Sequence, residues 1–460
     1  MKRREFTAHT GIVLAGSAII PNIIKAAPTK KRVAMVGTGV RGITFWGKNV
    51  QDNYKESIEF VGLCDINPGR VAFAKKYIGV NCPTFTNFEE MVKKTKPDTV
   101  IVTTVDSTHD EFIIKALELG CEVMTEKPMT TDENKCKAIL EAEKRTGKKV
   151  IVGFNYRYGT LFSAIKEQIS KNVTGELVSI DFNWYLNVYH GADYFRRWHA
   201  YKEKSGTLLV HKSTHHFDLL NWFIDSDPIE VMAYGSLDHY GKNGKFRSTH
   251  CRPCTFKNDC KFYNDITKDQ LKMDLYVANE NYDGYLRDAC VFREDINIYD
   301  KMSVQVRYAN GVLVNYSLTT YSPYEGWRIA FNGKEGRLDS SEGIPWEYDN
   351  SDQENLHKKE FSQNAGEEIY FEKMVVMKNF GTHELIKVPV SKSGHGGGDK
   401  KLHDKIFKDP NTPDPFRHAA GTRDGAMSVL VGIAARKSIE EKRIVKLNEL
   451  TDIALQAKRP

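Results

Sequence analysis

Short apolar runs alternate with amphipathic segments along the first third of the chain. Five apolar runs predict strands, at residues 32–36, 58–63, 99–104, 122–125 and 149–153. Four segments with helical periodicity lie between them, at residues 70–77, 88–94, 110–119 and 131–146. Strands that alternate with helices in this way are typical of a parallel, doubly wound sheet. We therefore predict an α/β domain that spans residues 31–155.

A different pattern follows, in which antiparallel pairing is expected. Alternation of apolar and polar residues predicts strands at 175–186, 230–237 and 302–321, the last of which turns back on itself at Asn310-Gly311. Residues 327–338 predict a further hairpin, with Gly-Lys-Glu-Gly at its turn. Helices are predicted at 161–170, 206–224 and 421–440. A charged, Cys-rich insertion covers 239–296, and the polar segment 351–398 is expected to be rich in loops. The pattern predicts an α+β domain over residues 156–450, built on a mostly antiparallel open sheet.

The first residues have the features of an export signal. Lys2-Arg3-Arg4-Glu5-Phe6 is followed by a mildly apolar stretch at 11–20 and by Ala26-Ala27. A basic start, a short apolar region and small residues at the end predict a cleaved signal over residues 1–27, with cleavage near Ala26 or Ala27. The Arg-Arg-x-Phe core resembles a twin-arginine signal, which implies export to the periplasm. The alternative is an amphipathic leader on a cytoplasmic protein.

Composition and charge indicate which kinds of partner the protein lacks. A net charge of +6 over 460 residues, without a basic stripe interleaved with aromatics, argues against a nucleic-acid partner. The apolar part of the leader is too short for a membrane span, and no other segment approaches that length. Aromatic residues make up 11% of the chain. That share suits a protein that stacks sugar rings, and it equally suits a large antiparallel sheet.

A glycine-rich turn follows the first predicted strand and opens a helix. It reads Gly37-Thr38-Gly39-Val40-Arg41-Gly42, and Asp65 stands 23 residues beyond its end, after the second strand. This context indicates a Rossmann dinucleotide site, with the pyrophosphate at the helix N-terminus. A carboxylate at Asp65 would bind both ribose hydroxyls and repel a 2′-phosphate, which favours NAD over NADP. Arg70 lies near enough to weaken that preference.

Two further motifs carry a resemblance to a known family. Glu126-Lys127-Pro128 ends the fourth strand, and His215-His216-Phe217-Asp218-Leu219 lies in an early helix of the second domain. Together with the glycine-rich turn, they make the chain resemble Gfo/Idh/MocA-type oxidoreductases over roughly residues 31–345. The resemblance implies an NAD(P)-dependent enzyme that moves hydride on and off a sugar or related polyol.

The resemblance also implies roles for individual residues. Lys127 matches the family lysine that hydrogen-bonds the reacting oxygen, and Pro128 often follows a cis bond in the family. His215 matches the family's general acid/base. The family commonly has an aspartate four residues before this histidine, whereas this chain has His211. Either histidine can therefore be the base, and this departure leaves the substrate open.

Other residues at strand ends are weaker candidates, each with ordinary loop packing as the alternative. Asp106, His109 and Glu126 are expected near the cofactor, as are Val40 and Arg41 of the glycine-rich turn. Four residues are candidates for binding substrate: Asn155, Arg157, Arg197 and Trp198.

The insertion contains four of the eight cysteines, Cys251, Cys254, Cys260 and Cys290. Three closely spaced cysteines with a fourth at a distance are typical of a tetrahedral thiolate site, most simply structural zinc. Two disulfides are the competing interpretation, because an exported protein meets oxidising conditions. Free thiols are the third.

The motifs together predict an NAD-dependent sugar oxidoreductase that acts on a small molecule and forms a homo-oligomer. Because the space outside the membrane holds no replenished NAD pool, we expect an exported enzyme of this kind to hold its cofactor tightly. A glycoside-cleaving enzyme that oxidises, eliminates and re-reduces its substrate is the first alternative. A non-catalytic nucleotide-binding sensor is the second.

Overall fold

The structure is a computed structural model, and it describes residues 30–345, 353, 369–391 and 394–460. The predicted export signal over residues 1–27 lies outside the described residues. Two sheets organise the described chain, one of six strands and one of nine.

The first sheet is parallel and has the order β3-β2-β1-β4-β5-β6. Its strands are β1 (Lys31–Val36), β2 (Ile58–Cys64), β3 (Thr84–Phe85), β4 (Thr99–Val102), β5 (Glu122–Thr125) and β6 (Val150–Val152). The connecting helices are the segment Gly42–Asn49 that continues as α1 (Val50–Tyr54), then α2 (Pro68–Ile78), α3 (Phe88–Thr95), α4 (His109–Glu118) and α5 (Glu133–Thr146). The predicted Rossmann fold is confirmed.

Local sequence accounts for these helix ends. The Asn67 side chain accepts a hydrogen bond from the Arg70 amide at the start of α2, and Pro68 occupies the first turn. Asp132 caps α5 in the same way, and Gly147 ends it in the left-handed conformation. All four residues of β4 are buried, as expected for a strand covered on both faces.

The second sheet is mostly antiparallel and has the order β14-β13-β12-β11-β7-β10-β9-β8-β15. Its strands are β7 (Leu177–Asn187), β8 (Pro228–Ser236), β9 (Lys301–Tyr308), β10 (Leu313–Ser322), β11 (Gly326–Gly333), β12 (Gly336–Glu342), β13 (Ile369–Lys378), β14 (His383–Ser391) and β15 (Val445–Lys446). Only β7 and β10 pair in parallel among the described pairs. The predicted fold class is confirmed.

Helices of the second domain pack on one face of this sheet or against the first domain. They are α6 (Thr160–Ser170), α7 (Val188–Arg196), α8 (Lys202–Ser205), α9 (Leu208–His211), α10 (Ser213–Ile224), α11 (Gln270–Leu275), α12 (Gly398–His403) and α13 (Thr422–Glu441). The helix α13 packs closely on α9, since a Cβ at Gly432 would lie 2.3 Å from the main-chain oxygen of Leu209. The other sheet face is solvent-exposed along alternate residues of β9 and β10.

That the protein forms a homo-oligomer stays a prediction.

Two predictions at the level of elements were wrong. The helix predicted over 206–224 is interrupted at Lys212, so that His211 ends α9 and His215 belongs to α10. The segment 351–398 was expected to be loop-rich, but it contributes β13 and β14, which extend the sheet as a hairpin. Ile369 and Phe371 are exposed on this outer hairpin. Because apolar side chains occupy exposed positions there, the alternation of apolar and polar residues that would predict a strand is obscured in the sequence.

Among the described residues, no helix is long and apolar enough to cross a membrane.

Candidate active site

The glycine-rich turn has the shape that a bound pyrophosphate needs. Gly37 has a φ of 90°, and a Cβ there would lie 2.5 Å from the Thr103 carbonyl oxygen. A Cβ at Gly42 would collide with the Gly37 oxygen at 2.5 Å. A Cβ at Gly39, by contrast, would meet only the Tyr276 hydroxyl, at 3.5 Å. The turn is therefore packed tightly at Gly37 and Gly42, and at Gly39 it leaves room up to the Tyr276 hydroxyl.

Asp65 lies beside this turn at the end of β2, as predicted. Its carboxylate accepts hydrogen bonds from the Thr38 amide at 2.7 Å and the Thr38 hydroxyl at 2.9 Å. The Asn67 amide at 2.9 Å and the Arg70 guanidinium at 3.2 Å also donate to it. A fixed carboxylate next to a glycine-rich turn fits the ribose and pyrophosphate of a nicotinamide dinucleotide.

Arg41 and Glu126 form a clamp beside the glycine-rich turn, and their contact with a cofactor stays a prediction. The Arg41 Nε donates to Glu126 Oε1 at 2.6 Å, and the Trp46 indole donates to the same oxygen at 2.8 Å. Burial alone would raise the pKa of Glu126, but the charges of Arg41 and Lys127 outweigh it and the pKa lies below its usual value. Glu126 is thus an ionised anchor for the turn that carries Lys127.

The turn itself is held from a second side by His109. The Lys127–Pro128 peptide bond is cis. The His109 Nδ1 lies 2.8 Å from the Pro128 carbonyl oxygen, and its Nε2 lies 3.1 Å from that of Thr104. The ring is only 1% exposed, and both nitrogens face main-chain oxygens. His109 therefore positions this turn, and its contact with the cofactor stays a prediction.

Lys127, Asp106 and His211 meet where the two domains face each other. The His211 Nδ1 lies 2.6 Å from Asp106 Oδ2, across the domain boundary. The Lys127 ammonium donates to the main-chain oxygen of His211 at 3.3 Å. Asp106 follows β4 and Lys127 follows β5, so both come from the carboxyl edge of the parallel sheet, where sites of this fold form.

Burial shifts the proton affinities of all three groups. It lowers the pKa of Lys127 to about 8, although Glu126 and Asp106 oppose the shift. It raises the pKa of Asp106 well above its usual value and lowers that of His211 well below. Groups with perturbed pKa values that converge in a cleft are typical of catalytic sites.

Arg197 and Trp198 lie beside His211, as candidates for substrate contact should. The centroids of the Trp198 and His211 rings are 5.8 Å apart, and the guanidinium of Arg197 is held by Asp193 at 3.1 Å. Both side chains are half-buried. His199, which the sequence did not single out, stacks on Trp198 at 3.6 Å and meets the His211 ring at 4.1 Å.

His215 occupies a different environment from His211. Its ring stacks on Tyr156, with centroids 4.1 Å apart and planes 10° from parallel. Its Nδ1 is buried, and the described residues offer that atom no hydrogen-bond partner. Burial, followed by the charges of Lys127 and Lys212, lowers the pKa of His215 well below its usual value. His215 thus lies near the lysine but without a carboxylate to orient it.

Two of the four substrate candidates have buried side chains that are bound to carboxylates. Arg157 is 1% exposed, and its guanidinium binds both oxygens of Asp218, at 2.8 and 2.6 Å, and Asp424 at 3.0 Å. Asn155 is also 1% exposed, and its amide donates to Asp399 at 2.6 Å. Both side chains are therefore held by carboxylates, and their assignment to substrate stays a prediction. A buried cation needs carboxylate partners, and the fold supplies them from distant helices.

Sequence reasoning also missed residues that line the site. The buried Lys212 donates to the Tyr156 hydroxyl at 3.1 Å. His395, from the segment expected to be loop-rich, approaches Tyr156 with ring centroids 5.3 Å apart and binds Asp399 at 3.0 Å. The run His395-Gly396-Gly397-Gly398 is the feature of the sequence that could have indicated this close approach. Glycine is needed there because a Cβ at Gly398 would lie 2.5 Å from the Asn155 main-chain oxygen.

The four cysteines of the insertion surround one small cavity, together with Arg196 and His250. All four are free thiols. Across the described residues, no group of three or more His, Cys, Asp or Glu side chains is arranged to hold a metal ion. The predicted zinc site and the predicted disulfides are therefore both absent from the part of the chain that the structure describes. Arg196 donates to Cys251 Sγ at 3.3 Å, which ties the insertion to α7.

Comparison with known proteins agrees with the geometry of both domains. Residues 31–154 match the model of the oxidoreductase family, NAD-binding Rossmann fold, and residues 166–447 match that of the oxidoreductase family, C-terminal alpha/beta domain. The chain belongs to the Gfo/Idh/MocA oxidoreductase family.

Individual relatives cover the chain to different extents. The YteT protein of Bacillus subtilis is 35% identical over 91% of this chain and 98% of its own length. The inositol 2-dehydrogenase/D-chiro-inositol 3-dehydrogenase of Lactiplantibacillus plantarum is 24% identical over 50% of this chain and 64% of its own. A crystal structure of myo-inositol 2-dehydrogenase from Lactobacillus plantarum superposes with a TM-score of 0.59, at 17% identity over 91% of this chain and 99% of that one. At 17% identity, the likeness to this crystal structure shows only that the two chains share a fold.

Proposed function

We propose that the protein is an NAD-dependent oxidoreductase that moves hydride between the nicotinamide and a hydroxyl or carbonyl of a sugar or glycoside. One observation carries the proposal, the meeting of Lys127 with the Asp106–His211 pair at the carboxyl edge of the parallel sheet. An acid, a base and a cation that converge beside a dinucleotide turn suit the oxidation of an alcohol.

His211 is the proposed general base. With the Nδ1 proton directed at Asp106, the Nε2 of His211 can take up the hydroxyl proton of the substrate. The Asp106 carboxylate then stabilises the imidazolium that forms. His215 has no such carboxylate, which is why we assign the role to His211, in contrast to the pattern that the family resemblance implies.

Lys127 is the proposed electrostatic partner of the reacting oxygen. Its ammonium can stabilise the negative charge that develops on that oxygen as the proton leaves. The bound nicotinamide supplies the hydride acceptor in oxidation and the hydride donor in reduction. The clamp of Arg41, Glu126 and His109 keeps Lys127 aimed, because it fixes the main chain on both sides of it.

A sugar-like substrate is favoured by the residues around the base. Trp198 offers an aromatic face beside His211, and the Arg197 guanidinium can donate to hydroxyl groups. The name of the L. plantarum relative supports a polyhydroxylated ring as substrate. Export through the N-terminal signal over residues 1–27, to the periplasm, is part of the same proposal.

The test is a panel of sugars, polyols and aryl glycosides added to purified protein, with and without added NAD. Reduced nicotinamide is followed by absorbance and the products by mass. Accumulation of NADH with a product two hydrogens lighter supports the proposal. Glycoside cleavage without net NADH supports the oxidation–elimination–re-reduction alternative. Nucleotide binding without any turnover would favour a sensor.

A further inference from the structure

The Cys-rich insertion reaches across to the dinucleotide turn. Its segment 270–285, which we call the insertion tip, packs on the first domain. Leu275 and Tyr276 belong to the same hydrophobic cluster as Ile43 and Val71 of that domain. The tip therefore forms a wall of the nucleotide site, although it belongs in sequence to the second domain.

Two polar contacts fix the position of the insertion tip. The Val40 amide of the glycine-rich turn donates to the Tyr276 hydroxyl at 2.8 Å. The Asn67 side chain, which caps α2, donates to the Asn279 main-chain oxygen at 2.9 Å. A Cβ at Gly69 would lie 1.8 Å from Asn279 Oδ1, so the approach of the tip to α2 requires glycine there.

The tip also supplies a second carboxylate to Arg70. The Arg70 guanidinium lies 2.6 Å from Asp283 and 3.2 Å from Asp65. Its side chain is 11% exposed, and that of Asp283 is 19% exposed. Arg70 is the cation next to the ribose-binding carboxylate, the position from which an arginine accommodates the 2′-phosphate of NADP.

We propose that Asp283 of the insertion tip selects NAD against NADP by holding Arg70 away from a 2′-phosphate. This inference rests on the proposed function, because it concerns the same dinucleotide site. With two carboxylates on one guanidinium, a 2′-phosphate would have to displace an ion pair and would face two negative charges. The ribose hydroxyls of NAD need no such displacement.

The experiment measures the equilibrium binding of NAD and of NADP by calorimetry. It uses the full-length protein from which bound nucleotide has been removed. Asp283→Asn keeps the shape of the side chain and removes its charge. We expect this variant to bind NADP about tenfold more tightly, the order of one charged hydrogen bond, with little change in the Kd for NAD. In the double variant Asp283→Asn, Arg70→Ala the gain should vanish.

Asp274→Asn is the matched control. Asp274 is exposed on the same tip, and its carboxylate binds Gln270 rather than Arg70. An unchanged NAD/NADP ratio in Asp283→Asn, or an equal change in the control, overturns the inference while the proposed function stands. Absence of NAD binding by the wild-type protein overturns both. Asp283→Ala provides a second test of the ratio, and thermal melting of each variant verifies that it is folded.

Discussion

Lys127 combines burial with the nearness of two acids. Burial lowers its pKa to about 8, whereas the pKa of the neighbouring Glu126 lies below its usual value, so that Glu126 is ionised before Lys127 loses its proton. A lysine of this kind changes charge close to working pH. The two acids near it are Glu126, which precedes it in the sequence, and Asp106, which follows the neighbouring strand β4.

We predict that kcat/KM falls as the pH rises through about 8, because the ammonium that stabilises the reacting oxygen is lost there. A Lys127→Arg variant keeps its charge throughout this range. It should be slower at pH 7 but should lack the decline. Initial rates across a pH series measure both, and the same decline in the variant would assign it to another group.

The sequence predicted Lys127, Asp65 and the two histidines, because short motifs carry them. It did not predict that Asp106 pairs with His211, which stands 105 residues away. Nor did it predict that Arg157 lies in the core. Pairings at such separations depend on how the two domains pack, and hydrophobic periodicity contains no information about that.

At the scale of elements, a buried ion-pair network joins three parts of the second domain. Arg157 follows β6, Asp218 lies on α10, and Asp424 lies on α13. Arg459 near the chain end binds Asp424 as well, at 2.7 Å. This network fixes α10, and with it His215, against the strand end.

We predict that Arg157→Met lowers the melting temperature markedly, since loss of one partner leaves buried carboxylates uncompensated, at a cost of roughly 3–5 kcal/mol. The activity per folded molecule should change little at low temperature. Arg145→Met is the control, because the Arg145–Glu118 pair is half exposed and such pairs contribute little. Equal melting temperatures for the two variants would contradict the structural role.

Elements with strong periodicity were predicted almost to the residue, among them β5 and α5. Those without it were missed. The helix α7 carries the polar and aromatic run Val188–Arg196, and it is held by the Asn187 cap and by close packing, with a Cβ at Gly191 only 1.6 Å from the Thr320 oxygen. Tertiary packing, rather than amphipathic pattern, decides this element.

At the scale of the whole molecule, two segments of the second domain return to the first domain. The insertion tip covers the dinucleotide turn, and α12 brings His403 against Phe45, with ring centroids 4.2 Å apart. The glycine-rich turn and the helix that follows it are thus covered by segments of the second domain. The sequence indicated two domains, but the return of these segments was beyond its reach.

This cover over the glycine-rich turn, with the proposed export, predicts that nucleotide stays with the protein. Protein recovered from the periplasm should begin near Ala26 or Ala27 and contain close to one NAD per chain, measured by mass after denaturation. Arg3→Lys with Arg4→Lys should retain the protein in the cytoplasm. Normal export of that variant would contradict the twin-arginine proposal.

The most direct test of the account is a single-turnover experiment with the substrate that the panel identifies. Reduced nicotinamide is followed by absorbance after substrate is mixed with the NAD-loaded wild type, His211→Gln and His215→Gln. With His211 as the base, His211→Gln should slow hydride transfer by about 10²–10⁴-fold, and His215→Gln should slow it far less. A wild-type rate in His211→Gln, with the loss in His215→Gln instead, would contradict the account.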